Sequence, residues 1–359
     1  MPLSKIQGIE GQVAPNLGRR NLIINGAMQV HQRGNQSVSS GNHYSLDRWE
    51  VGTTGGSAAY NLQQSTDVPT GQGFANSFKL DVTTADTAMG AADGYIFRQA
   101  FEGQNLQGLK KGTSNAEQVT VQFWVKSTKT GTYILELYDT DNTRQVSKSY
   151  TVSSADTWEY KTVTFPADTS GAIDNDNTRS LILQWWLAAG SNFTSGTLNT
   201  TWASATSANR VVGQVNALDS TSNNFHVVGV QMEISDTATD FEHRSFGEEF
   251  QLCQRYYSKA SQYGSAWNAG QKQQGSFASH GSSNGWFGPI EFPVTMRIAP
   301  TMQQTGAQAY NGSTWTSWSS VGMGARTENS CYADCSGGVS TSNGQSMLYQ
   351  MYWEANAEL

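Results

Sequence analysis

The feature that most restricts what this chain can fold into is a residue period of two, repeated in short segments between turn-rich spacers. Across residues 119–127 (VTVQFWVKS), Val119, Val121, Phe123 and Val125 fall on one side. Thr120, Gln122, Trp124 and Lys126 fall on the other. A strand points successive side chains to opposite faces, so this pattern gives one face to a core and one to solvent. Segments 77–82, 95–101, 132–139, 158–165 and 180–189 are strands of the same kind, with a hairpin at 128–131. Strands do not alternate with helices, which argues against a parallel α/β sheet. The pattern predicts an all-β chain: roughly eight strands in two sheets, a jelly-roll β-sandwich.

The stretch 225–257 (FHVVGVQMEISDTATDFEHRSFGEEFQLCQRYY) reads as the joint of the molecule. Val227, Val228, Val230, Met232 and Ile234 form a closing strand. Ser245, with Glu248 three residues on and Glu249 beside it, is a helix-start signal. Phe246, Phe250, Cys253, Tyr256 and Tyr257 follow at helical spacing. The expected division is an N-terminal arm at 1–20, a jelly roll at 21–244, a short connecting helix at 245–258 and a second, smaller β-sandwich domain at 259–359. Leu22, Ile23 and Ile24 open the first domain as a short strand ended by Asn25-Gly26, a turn signal. In the second domain, strands are expected at 275–281, 285–292, 296–306, 309–320 and 346–359. Met347, Tyr349, Met351 and Trp353 alternate along the last of these. Its apolar character on both sides points to burial or a subunit interface.

Composition excludes several classes of function. With 22 Lys plus Arg against 29 Asp plus Glu, the net charge is −7. Dispersed acidity of this kind is unsuited to nucleic acid. No apolar run reaches the roughly 20 residues of a membrane span. The first residues lack the apolar core of a secretory signal, so synthesis in a cytoplasm is expected. Cys253 reads as a core residue. Cys331 and Cys335 sit in an expected loop (CYADC), where two free thiols are preferred over a disulfide.

Chemistry-bearing motifs are few. The five histidines form no metal or catalytic spacing, and neither a nucleophile elbow nor a phosphate loop occurs. Asp174 and Asp176, in DNDN, are candidate calcium ligands from a turn, with turn geometry as the competing explanation; no other cofactor is expected. Trp49, Trp186 and Trp202 are candidate ligand-contacting aromatics. Trp49 follows Asp47 and Arg48 in YSLDRW, where a charge pair beside a core Trp is the competing reading. Trp202 is borne on the long polar loop 190–222, with packing against the domain as its alternative. Residues 1–20 have few large side chains and read either as a tail or as an arm that orders on a partner.

NLIINGAMQVHQRG (21–34) followed by YSLDRW (44–49), then 228–257, then EFPVTMRIAPT (291–301), resembles in order and spacing a group of tailed-bacteriophage virion proteins of the tail-fibre or tail-protein type. Residues 119–234 also look like a carbohydrate-binding-module jelly roll. The resemblance implies a virion component, a homotrimer with a lectin-like sandwich; with it, residues 1–20 are expected to join other virion proteins, the sandwich to meet host-surface glycan, and, since no acid–base pair is nominated, no enzymatic activity is expected. A capsid decoration or head-fibre protein, or the carbohydrate-binding module of a surface-acting enzyme, are the alternatives. No catalytic residue carries over from the resemblance.

Overall fold

The computed structural model describes residues 19–279, 284–310, 312–340, 342 and 346–359. The first β unit contains β1 (Gln36–Val38), β2 (Gly41–Tyr44), β3 (Glu50–Thr54), β4 (Ala59–Ser65), β5 (Ser77–Thr84), β6 (Gly94–Glu102), β7 (Val119–Ser127), β8 (Gly131–Asp139), β9 (Arg144–Val152), β10 (Glu159–Phe165), β11 (Arg179–Ala189), β12 (Ala203–Ser204) and β13 (Asn224–Ile234). They form two antiparallel sheets, ordered β1-β4-β5-β13-β7-β10 and β12-β9-β8-β11-β6-β3-β2. The fold is an all-β jelly-roll sandwich.

The period of two decides which side chains meet between the sheets. Val121, Phe123 and Val125 of β7 are fully buried there. They face Leu135 and Leu137 of β8 and Leu183 and Trp185 of β11 in one core. Stacked rings form its centre: Phe78 lies 4.3 Å from Phe97, and Trp49 lies 4.7 Å from the other side of Phe97. Trp185 meets Phe123 edge-on at 5.3 Å. Aromatic pairs in these geometries contribute about 0.5–1.5 kcal/mol each beyond their buried area.

Two expectations change here. Residues 22–24 are not a strand; the segment runs extended and is stitched in singly, Leu22 N donating to Met232 O at 2.9 Å. Asn25, at φ 61°, makes the turn and serves as a polar hub. Its side chain donates to Val30 O and Asp47 O and accepts from Val30 N, and its carbonyl accepts from Trp49 Nε1. Asp47 and Arg48 are not partners of each other. Asp47 faces Arg33 at 3.7 Å and accepts from Gln32, while Arg48 pairs with Glu358 near the chain's last residue.

The loop after β11 carries α1 (Ser191–Thr194) and lies over the outer face of the second sheet. Arg210 staples it there by donating through Nε to fully buried Glu136 at 2.8 Å.

Beyond the sandwich, α2 (Phe246–Gln254) starts where the capping signal sits: Ser245 Oγ accepts from Glu248 N at 3.3 Å. It ends before Tyr257, which opens the next strand. The second β unit comprises β14 (Tyr257–Lys259), β15 (Gln273–Ser279), β16 (Asn284–Glu291), β17 (Thr301–Tyr310), β18 (Trp315–Ser317), β19 (Ser320–Gly324), β20 (Ser330–Ser336) and β21 (Ser346–Asn356). They form one antiparallel sheet ordered β18-β17-β21-β15-β16-β20-β19, with β14 paired to β21. Met347, Tyr349, Met351 and Trp353 enter its core, whereas Leu348 on the opposite face is 52% exposed. The CYADC segment is strand β20 rather than a loop. Cys331 and Cys335 share its inner face, four residues or about 13 Å apart, which is beyond disulfide reach. Both are free and buried, and burial pushes their thiols up to about 11 and about 12.

The arm expected at 1–20 lies, apart from Arg19 and Arg20, outside the described residues. Among the described residues no helix is long and apolar enough to cross a membrane.

Candidate functional site

The outward face of the first sheet carries a cleft of about 550 Å³. Its floor comes from the solvent-side register of β7 and β10, which places Trp124 opposite Tyr160 and Gln122 opposite Thr162. The Trp124 and Tyr160 rings lie 5.4 Å apart and are inclined by 50°. The Tyr160 hydroxyl donates to Gln122 Oε1 at 2.6 Å, which fixes both side chains on the floor. Tyr160 remains 46% exposed.

The walls are two loops. The loop between β4 and β5 brings Gln72 and Phe74; the segment after β13 brings Asp240, Phe241 and His243. Phe74 joins them, 5.1 Å from Phe241 and 5.4 Å from His243. This closure depends on a break in β13, whose pairing with β7 shifts between Val228 and Gln231. Gly229 sits in that bulge at φ +67°, and a Cβ there would meet Phe74 Cζ at 2.6 Å. Only glycine allows both the backbone conformation and the approach of the ring.

Below the walls, Glu233 is buried and its oxygens are taken. Oε1 accepts from Gln231 Nε2 and Thr239 N, and Oε2 accepts from Thr239 Oγ1 at 2.8 Å. Farther along the same face, Asp67 accepts from Lys126 and from Trp158 Nε1. Burial pushes the Asp67 carboxyl up, but those donors outweigh it and hold it below its usual range. His226 lies beneath this group, 3% exposed, with Nδ1 lacking a partner. Burial, with the Lys126 charge adding to it, lowers the imidazole to about 4.

The aromatics singled out in the sequence sit elsewhere. Trp49 and Trp186 are each 1% exposed and present no free ring to a ligand. Trp49 belongs to the stacked core. Trp186 donates to Glu136 at 2.7 Å under the 190–222 loop. Trp202 is partly buried at the end of the sandwich, donates to Pro166 O at 2.8 Å and has Lys111 Nζ 4.9 Å above its ring. None of the three lines the cleft.

Asp174 and Asp176 do not converge on one point. Asp176 Oδ1 accepts from Thr178 N and Oγ1, and these bonds hold its carboxyl below the usual range. Asp174 uses its backbone N to reach Asp141 Oδ2 at 3.1 Å. Among the described residues no group of three or more His, Cys, Asp or Glu side chains is gathered as a metal set. An oxygen cage does exist nearby, and the chain fills it itself. Lys111 Nζ sits against Asp139, Asp168 Oδ2 at 2.9 Å and Gly171 O at 2.8 Å.

No protein-family model matches the chain, and no curated protein matches it. Solved structures that align with it include the enzymatically active domain of tailspike protein 4 of bacteriophage CBA120, at 15% identity and TM-score 0.33. That alignment covers 60% of this chain and 21% of the tailspike chain, so the chain spans about a fifth of it. The family 11 carbohydrate-binding module of a Clostridium thermocellum cellulosomal cellulase aligns at 12% identity and TM-score 0.29, covering 59% of this chain and 99% of the module. The CBM22-1 xylan-binding domain of Paenibacillus barcinonensis Xyn10C aligns at 10% identity and TM-score 0.27, covering 61% and 96%.

Proposed function

We propose that the cleft on the first sheet is a glycan-binding site and that the protein is a non-catalytic adhesive component. The observation that carries this reading is the pair of Trp124, half-buried, and Tyr160, exposed, on the floor of an open groove whose lining includes the amides of Gln72 and Gln122. Sugar rings stack their C–H faces on aromatic rings, and their hydroxyls pair with side-chain amides. Core aromatics need no exposure, and an aromatic kept on the solvent register of a strand gains little from burial. Glycoside hydrolysis needs two carboxylates across a cleft. Asp240 is the one carboxylate among the lining residues, and Glu233 below is fully engaged.

The motifs at 21–34, 44–49 and 228–257 support placing this surface on a tailed-phage virion, as a tail fibre or fibre-like appendage. The glycan would then belong to the host envelope, and the protein would be made in the host cytoplasm and join other virion proteins. A homotrimeric assembly fits the large apolar side chains left open, since Phe246, Tyr263 and Leu348 are 50%, 43% and 52% exposed.

The test is affinity electrophoresis and calorimetry of the purified full chain against a panel of soluble polysaccharides. Trp124→Ala and Tyr160→Ala are expected to weaken binding about tenfold or more each while leaving the circular dichroism unchanged. Failure of the wild-type protein to bind any panel member, or equal binding by both variants, overturns the reading. For assembly, a monomer by light scattering at micromolar concentration counts against the trimer.

A further inference from the structure

We infer that this cleft, taken as the glycan site proposed above, accepts a single uncharged glycan chain and discriminates against acidic glycans and flat polysaccharide surfaces. The charge distribution is the first ground. The lining contains no Lys or Arg, one carboxylate, the exposed Asp240, and one imidazole, His243 on the wall, packed against Phe74 and Phe241. The cations on the neighbouring sheet face are already committed: Lys126 pairs with Asp67, and Lys79 with Asp81 at 3.2 Å. Arg20 reaches the rim, where its guanidinium donates to the Asp240 carbonyl at 3.3 Å. A uronate, sialate or sulfate entering the groove would therefore meet a like charge and no uncommitted cation on the floor. Repulsion at contact range in a partly desolvated groove is enough to weaken binding by roughly tenfold or more.

The polar groups on the floor suit hydroxyls. Gln122, 3% exposed, spends its Oε1 on the Tyr160 hydroxyl and so fixes that ring at the floor. Gln72, exposed on the wall, offers both a donor and an acceptor. Amides match sugar hydroxyls, which also both donate and accept, whereas a carboxylate or sulfate is acceptor-only and best met by Arg or Lys.

Ring geometry is the second, independent ground. A planar polysaccharide face needs coplanar aromatic platforms. Trp124 and Tyr160 are inclined by 50° with centroids 5.4 Å apart, so one flat surface cannot lie against both. A single chain, which turns between successive sugars, can.

The experiment uses the intact protein and matched ligand pairs: one soluble β-glucan and one galactan, each in neutral form and in carboxymethylated form. Microcrystalline cellulose serves as the flat surface. Expected is at least tenfold tighter binding of the neutral form, a smaller neutral-to-acidic ratio for Asp240→Asn, and no retention on the crystalline solid. Equal or tighter binding of a carboxymethylated form, or retention on the solid that is lost in Tyr160→Ala, overturns this inference and leaves the glycan site standing. Binding of no panel member overturns both.

Discussion

His226 lies on the same sheet face as the cleft but is held neutral beneath Trp158, Lys126 and Asp67. Its folded value of about 4 lies below the ordinary 6.5. Between those values the unfolded chain binds a proton that the folded chain refuses, so stability rises with pH across that window and is lost as pH falls from 6.5 toward 4. A shift of this size corresponds to about 3 kcal/mol as an upper figure. Urea midpoints measured between pH 4 and 7 should slope upward for the wild type and flatten for His226→Phe; an unchanged slope refutes the assignment. Lys111 poses the opposite case, an ammonium without which Asp139 and Asp168 would be short of a counter-charge. Lys111→Ala should destabilise by about 3–5 kcal/mol, with Lys111→Ala/Asp139→Asn recovering part of it. At this scale the site was only half legible. Trp124 is visible in the sequence as an aromatic on the polar register of β7, which is the signal that could have selected it. Tyr160 has the same signal opposite it. Trp186 gives an outward signal too, because it alternates with the buried Trp185, and no local pattern reveals that residues 190–222 fold back over it.

Strands were legible where their alternation was apolar and obscure where it was polar. The expected bounds 119–127 coincide with β7, and 132–139 differs from β8 by one residue. β9 is absent from the expected strands, although Val146, Tyr150 and Val152 share one register in it, because Ser147, Lys148, Ser149 and Thr151 fill the places between. It exists because it pairs with β8 along its full length, a tertiary gain that outweighs weak local propensity. Segment 22–24 departs in the other direction: three apolar residues resemble a strand, but only Leu22 N reaches a strand, at Met232 O of β13, while the Ile23 and Ile24 amides are met by the Asn21 and Gln99 side chains, so no ladder forms. The 190–222 loop is held by backbone bonds to the sandwich, such as Val215 N to Thr132 O at 2.9 Å and Ala217 N to Leu187 O at 2.8 Å, and by the charged side chain of Arg210. Arg210→Ala would remove the charge partner of Glu136, which is fully buried, and the loop would lose its staple. Limited proteolysis should then cut within 190–222 faster than in the wild type, while the cleft on the opposite sheet keeps its ligand affinity. Equal cleavage rates would show that α1 and Val211 hold the loop without Arg210.

The two β units are joined less by α2 than by the end of the chain. Glu358 inserts its carboxylate between Arg33 and Arg48, with the Arg33 contact at 3.1 Å. Both guanidiniums lie over the joint's tyrosines, Arg33 Cζ at 3.6 Å from the Tyr257 ring centroid and Arg48 Cζ at 3.5 Å from that of Tyr256. Arg297 adds a second clasp, donating to Ala357 O, Glu358 O and, across the boundary, Asn177 O. The 21–34 and YSLDRW motifs, the QRYY end of the joint and the C-terminal residues therefore converge on one buried ionic cluster. Their spacing along the chain is imposed by that cluster and not by the cleft. Removing one member of a buried ionic group leaves its partner charged and desolvated, at a cost of about 3–5 kcal/mol. Glu358→Gln keeps the volume and an acceptor but deletes the charge facing two arginines, so it should lower stability by that order. Deleting residues 358–359 should go further and split a single calorimetric transition into two as the second unit melts separately. Glu117→Gln, which removes an exposed partner of Lys110, is the control and should change stability by less than about 1 kcal/mol. If Glu358→Gln matches that control and the truncated chain still melts in one step, the clasp does not couple the units, and the α2 packing and the pairing of Arg255 with Glu102 of β6 must do so instead.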